Sequence, residues 1–142
     1  MNQQQAMAHV LWRVLCVVVG GLVPPVVFAA SMTPRDWGFI LTVLPAGFAG
    51  AVIGVAAARI LTMGIFSGGW AVAGLLVGIA VAAIIGGLLA TYALGPALPP
   101  SSDDGLLYLT FAAIGAQFAV GSAVLAGLGW HLVQRALLAG PV

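Results

Sequence analysis

WAVAGLLVGIAVAAIIGGLLATYAL, residues 70–94, carries no charged side chain, and its polar groups are confined to Trp70 at one end and Thr91 and Tyr92 at the other. As an α-helix these 25 residues reach about 37 Å, enough to cross about 30 Å of hydrocarbon. A helix that is apolar all round has no face for water, so it is either sealed inside a large protein or set in a membrane. With so few charged residues the chain cannot cover such a helix with a water-compatible surface, and the membrane reading follows.

Working outward, Gly64 and Ser67-Gly68-Gly69 punctuate the approach to this stretch, and Gly95-Pro96 with Pro99-Pro100 close it. Three more apolar runs occupy about 14–30, 37–58 and 106–133. The expected fold is an all-α integral membrane protein with four transmembrane helices in a small Gly/Ala-rich bundle. The spans are placed at roughly 10–30, 34–60, 68–94 and 104–135, as one transmembrane domain over 1–142. Proline removes a helical N–H, so the first helix is expected to be kinked or broken at Pro24-Pro25. Pro45 frees the Leu41 carbonyl in the second span, and the Thr42 hydroxyl is the expected substitute donor.

Composition agrees. Hydrophobic residues make up 63% of the chain and charged residues 5%, against about 25% charged in a soluble domain; the mean hydropathy is +1.20. This argues against a soluble enzyme, a nucleic-acid binder and a disordered tail. The single cysteine, Cys16, allows no intrachain disulfide and reads as a small hydrophobe. The absence of lysine beside abundant Ala, Gly, Val and Leu suits a high-GC bacterial genome.

The charges are Arg13, Arg35, Arg59, Arg135, Asp36, Asp103 and Asp104. With both termini cytoplasmic, the inner side holds Arg13, Arg59 and Arg135, while the outer side holds one Arg against three Asp. The positive-inside rule favours that orientation, in a bacterial inner (plasma) membrane. Trp12, Trp37, Trp70 and Trp130 fall near span ends, as an aromatic belt requires. Thr33-Pro34-Arg35-Asp36 reads as a capping box for the second span, and Ser101, Ser102, Asp103 and Asp104 as caps for the fourth. A rival reading makes the first span a signal peptide cleaved after Ala29 or nearby, leaving three spans.

Small residues recur every fourth position. They are Gly50 and Gly54 in the second span; Gly74, Gly78, Ala82, Gly86 and Ala90 in the third; and Gly115, Ala119, Ala123 and Gly127 in the fourth. Such ribbons let helix backbones approach closely where water cannot drive association. The expectation is a tight antiparallel hairpin of the third and fourth spans with the second alongside, or a face used by another subunit.

Intramembrane chemistry is sparse. Gln117 is the strongest polar group near mid-span, expected to face protein as an intramembrane polar contact. Ser122 is turned from it by about 140°, so the two form no polar stripe. His9 and His131 lie near span edges and make a weak haem pair. No catalytic, metal-binding or cofactor-binding constellation is visible, and an enzyme is not expected. The reading is a structural or accessory subunit of a larger membrane assembly, with the lipid bilayer and other membrane subunits or its own copies as partners. The alternative is a small homo-oligomeric channel or carrier for a small solute or ion.

Overall fold

The computed structural model describes residues 2–31, 37–64, 67–94 and 104–140. The element order is α1 (Gln3–Ser31), α2 (Trp37–Thr62), α3 (Gly69–Leu94) and α4 (Asp104–Ala139), with no strand among the described residues. All four helices are long and apolar enough to cross a membrane. The protein is therefore an all-α membrane bundle.

The first helix begins at Gln3, before its apolar run. Asn2 explains the early start: its carbonyl accepts from the Gln5 and Ala6 N–H groups at 2.9 and 3.1 Å, and the Gln5 side chain accepts from the Asn2 N–H at 3.4 Å. The Gln5 contact is one half of a capping box, and the carbonyl bonds are the first of the helix itself. The expected caps at 33–36 and 101–103 lie outside the described residues. Gly64 (φ 69°) ends α2 and Gly140 (φ 67°) follows α4. Both adopt the left-handed conformation that closes a helix and that only glycine takes at no steric cost.

The break that was one of the two forms expected at Pro24-Pro25 does not occur: one helix runs through both prolines. Likewise Pro45 sits inside a continuous α2, on its exposed side. The Thr42 hydroxyl does not turn to the Leu41 carbonyl; it donates to the carbonyl of Phe39 instead. A hydroxyl folding back one turn reaches i−3 or i−4 carbonyls and not its immediate neighbour's.

Consecutive helices are antiparallel, so α2 and α4 run parallel to each other. These two make the most intimate pair, and α1 and α3 lie on opposite flanks of it, barely touching each other. The closest approach is therefore not the α3–α4 hairpin. A Cβ added to Gly50 would strike the carbonyl of Ala119, and one added to Gly54 would strike that of Ala123. In glycine a hydrogen takes that place and points at the carbonyl oxygen. Such Cα–H···O contacts contribute about 0.5–1 kcal/mol each. The equal step of four residues on both helices is what a parallel pair requires.

The hairpin is tight over the second half of α3 alone. Gly86 meets Ala119 and Gly115, Gly115 meets Ala90, and Gly87 lies against Ala112. The α1 helix docks through Gly20 on Ala126 and Gly21 on the Phe48 ring. Cys16 joins Ala51, Val55, Ala126 and Trp130 in a buried apolar cluster, as its sequence context implied.

These contacts rank the glycines. Gly50→Ala combined with Gly54→Ala forces the α2 and α4 backbones apart and should cost about 3 kcal/mol or more. Gly74→Ala, which has nothing within 4 Å of the added atom, should change stability by less than about 0.5 kcal/mol. Reversible unfolding of the purified protein in mixed micelles measures both.

Candidate functional site

The α4 helix carries the groups worth weighing, and its faces separate them. One face holds Gly115, Ala119, Ala123 and Gly127. The structure brings these together with Gly50 and Gly54 of α2 and Gly86 of α3, while Ala82 is fully buried. Gly78 is only in ordinary contact with the Ala57 methyl at 3.5 Å, and Gly74 stands open. Thus the third-span ribbon is half used inside the bundle.

A second face of α4 meets α1. Here lie Ser122, Ala126 and Gly129, spaced three or four apart. Ser122 is wholly buried and its hydroxyl has no partner. A Cβ on Gly47 of α2 would fall 3.3 Å from the Ser122 oxygen and 2.8 Å from the carbonyl oxygen of Gly21. That carbonyl is one of those freed by the α1 prolines, since Pro25 has no N–H to give it. Gly47 is thus the point where α1's freed carbonyl and α4's hydroxyl converge. Pro25 itself is buried there. The freed carbonyl is readable from the proline spacing, but nothing in a Gly-Gly or Pro-Pro pair says which neighbour it faces.

At the end shared by both termini, α1 and α4 build a polar cluster. The Arg13 guanidinium lies 5.0 Å from the centre of the Trp130 ring, and His9 meets the same ring edge-on at 6.2 Å. Trp130 is fully buried, so it is not part of an interfacial belt, whereas Trp12 and Trp70 are exposed as a belt residue should be. The cause is its position one turn beyond Ala126, on the face that α1 covers. Arg13 Nε, Trp130 Nε1 and Gln134 Oε1 are buried without a protein partner. Two donors and an acceptor in one cluster suit bridging water. His131 points elsewhere, into a cleft between α2, α3 and α4. The two histidines do not meet on one ligand position.

The third face is outward. Gln117 is exposed, with no hydrogen bond to any described residue, and Ser122 is turned away from it as the spacing demanded. Of the protein neighbours expected for it, the amide does not face the chain's own helices. The cause is rotational: Gly115, Ala119 and Ser122 occupy the inward arc, which leaves 117 on the opposite side. Exposed Ala113 shares this side, and Gly121 has nothing within 4 Å of an added Cβ.

No group of three metal-binding side chains occurs among the described residues. No protein family, curated protein or solved structure matches the chain. Geometry alone therefore carries the functional argument.

The two tryptophans give a direct check on the polar end. Trp130→Ala should lower stability by about 3–5 kcal/mol, and Arg13→Gln by about 0.5–2 kcal/mol through loss of the ring contact. Trp70→Ala, at 75% exposure, should stay within about 0.5 kcal/mol. Unfolding midpoints of the three variants in the same micelles decide it.

Proposed function

We propose that this small integral membrane protein is a structural or accessory subunit of a larger membrane assembly, docking through the outward face of α4. The observation that carries the reading is the exposed Gln117 in the middle of a membrane-spanning helix. An amide left without a partner in hydrocarbon costs roughly 2–7 kcal/mol. A neighbouring helix that hydrogen-bonds it removes that cost, and such bonds contribute about 0.6–2 kcal/mol in membranes. Ala113 and Gly121, one turn to either side, supply the low relief a second helix needs. Residues four apart share a helix face, so the three form one strip.

The interior supports the same choice. Apart from the Arg13, Trp130 and Gln134 cluster at one end, Ser122 is the single buried polar side chain among the described residues, and the α2–α4 seam is shut by backbone against backbone. A solute has no polar path through one copy. The alternative reading, a homo-oligomeric channel or carrier, puts the path between copies, along the strip that bears Gln117. In either case Arg13, Arg59 and Arg135 mark the cytoplasmic end by the positive-inside rule, and no catalytic step is assigned.

Native mass spectrometry on protein extracted gently from its own membrane separates these readings. An accessory subunit travels with other polypeptides at fixed stoichiometry, and Gln117→Leu or Gly121→Leu releases it while the chain stays folded. Complexes holding copies of this chain alone favour the channel or carrier. A monomer, or an assembly indifferent to both substitutions, contradicts the docking face.

A further inference from the structure

A serine or threonine hydroxyl inside a helix can bond a carbonyl one turn back on the same helix. Ser31, Thr42, Thr62, Thr91 and Thr110 all do so. The Ser122 hydroxyl does not. It is wholly buried, has no partner, and is turned across the interface towards Gly47 of α2. A Cβ on Gly47 would meet two oxygens, the Ser122 hydroxyl at 3.3 Å and the Gly21 carbonyl of α1 at 2.8 Å. The missing side chain of Gly47 is what lets a donor on α4 and an acceptor on α1 come near each other. The Pro25 ring lies 3.5 Å from the same point, and Gly21, Pro25 and Gly47 are all buried.

The acceptor is one that α1 cannot satisfy by itself. Pro24 and Pro25 bring no N–H to the Gly20 and Gly21 carbonyls, so two consecutive bonds of the helix are missing. On either side of this gap α1 is fastened separately. Its earlier part holds α4 through Gly20 on Ala126 and Arg13 on Trp130. Its later part sets the Phe28 ring edge-on to Phe118 at 5.3 Å and against Phe39 at 6.0 Å. Two fastened segments joined by a turn short of hydrogen bonds make a hinge. Inside a bilayer a carbonyl freed by proline is satisfied by a neighbouring helix or by a Ser or Thr hydroxyl.

We propose that Ser122 latches this hinge. Its hydroxyl donates to the Gly21 carbonyl, replaces the bond that Pro25 removes, and holds the two parts of α1 in line. The described conformation, with the hydroxyl unbonded, is the unlatched state. The latched state is the favoured one, because an unpaired hydroxyl and an unpaired carbonyl each cost free energy in apolar surroundings. The latch lies on the face of α4 that meets α1, and it does not depend on the Gln117 face.

The test is a double-mutant cycle on the full-length protein, read by reversible unfolding in mixed micelles. Ser122→Ala removes the donor, and Pro25→Ala returns an N–H to the Gly21 carbonyl from within α1. With Pro25 in place, Ser122→Ala should raise the ratio of unfolded to folded protein about three- to thirtyfold. In the Pro25→Ala protein the same change should alter that ratio by less than about twofold. A hydroxyl that merely fills space would cost the same in both backgrounds. The second readout is the Gly21 carbonyl carbon in magic-angle-spinning NMR of the protein in bilayers. Its resonance should move upfield in Ser122→Ala, and also in Gly47→Ala, which keeps the hydroxyl and closes the approach. Equal cost in the two backgrounds overturns the proposal, as does a Gly21 resonance that stays in place in Ser122→Ala. Magnetisation transfer from water to Gly21 in the wild type, which would make water the donor, overturns it too.

Discussion

The structure depends on the contact of two glycine Cα atoms in α2 with two peptide groups in α4. Gly50 against Ala119 and Gly54 against Ala123 bring the helices as near as backbones can come. Water supplies no driving force for this inside a bilayer, where lipid tails are as apolar as leucine. Close packing and carbonyl contacts must supply it, and both need a missing side chain. With this parallel pair set, the rest is placed by exclusion. Ala119 turns its methyl to Gly86 and so fixes α3, and Ala126 lies under Gly20 and so fixes α1.

The four helices were legible in the sequence because composition alone decides them, whereas the start of α1 at Gln3 lies ahead of its apolar run. An uncharged run such as 70–94 has few alternatives, and Gly64 with Ser67-Gly68-Gly69 marks its entry. Gly50, Gly54, Gly115, Ala119, Ala123 and Gly127, which share the small-residue spacing, lie at the helix contacts. The same spacing misled at Gly74 and Gly78. A repeat of four tells which residues share a face, but not how far two helices stay together along it. Two helices that cross at an angle part beyond the crossing, and the angle depends on all the neighbours.

The polar groups were less legible, for a similar reason. Gln117 was expected to face protein, in this chain or in a partner, because burial protects an amide, and the arc facing α2 and α3 is already taken by glycine and alanine. Trp130 was expected at the interface because tryptophan often sits there, yet its place one turn after Ala126 puts it beneath α1, with Arg13 stacked on it. For Trp130 the side chain's chemistry gave the wrong neighbour, and for both residues the helical phase of α4 decides the side they take. The freed Gly21 carbonyl beside Gly47 and Ser122 needed three helices in register, which no single stretch encodes. The resulting molecule has a shut interior, a polar end shared by the termini, an apolar cleft and one outward amide. Its open chemistry lies at edges where lipid or another subunit arrives.

Magic-angle-spinning NMR on uniformly labelled protein in lipid bilayers tests the α2–α4 seam most directly. The account predicts through-space correlations of the Gly50 Cα with Ala119 and of the Gly54 Cα with Ala123, and none linking Gly74 to another helix. Correlations of Gly50 and Gly54 with lipid chains, in place of those with α4, would contradict it.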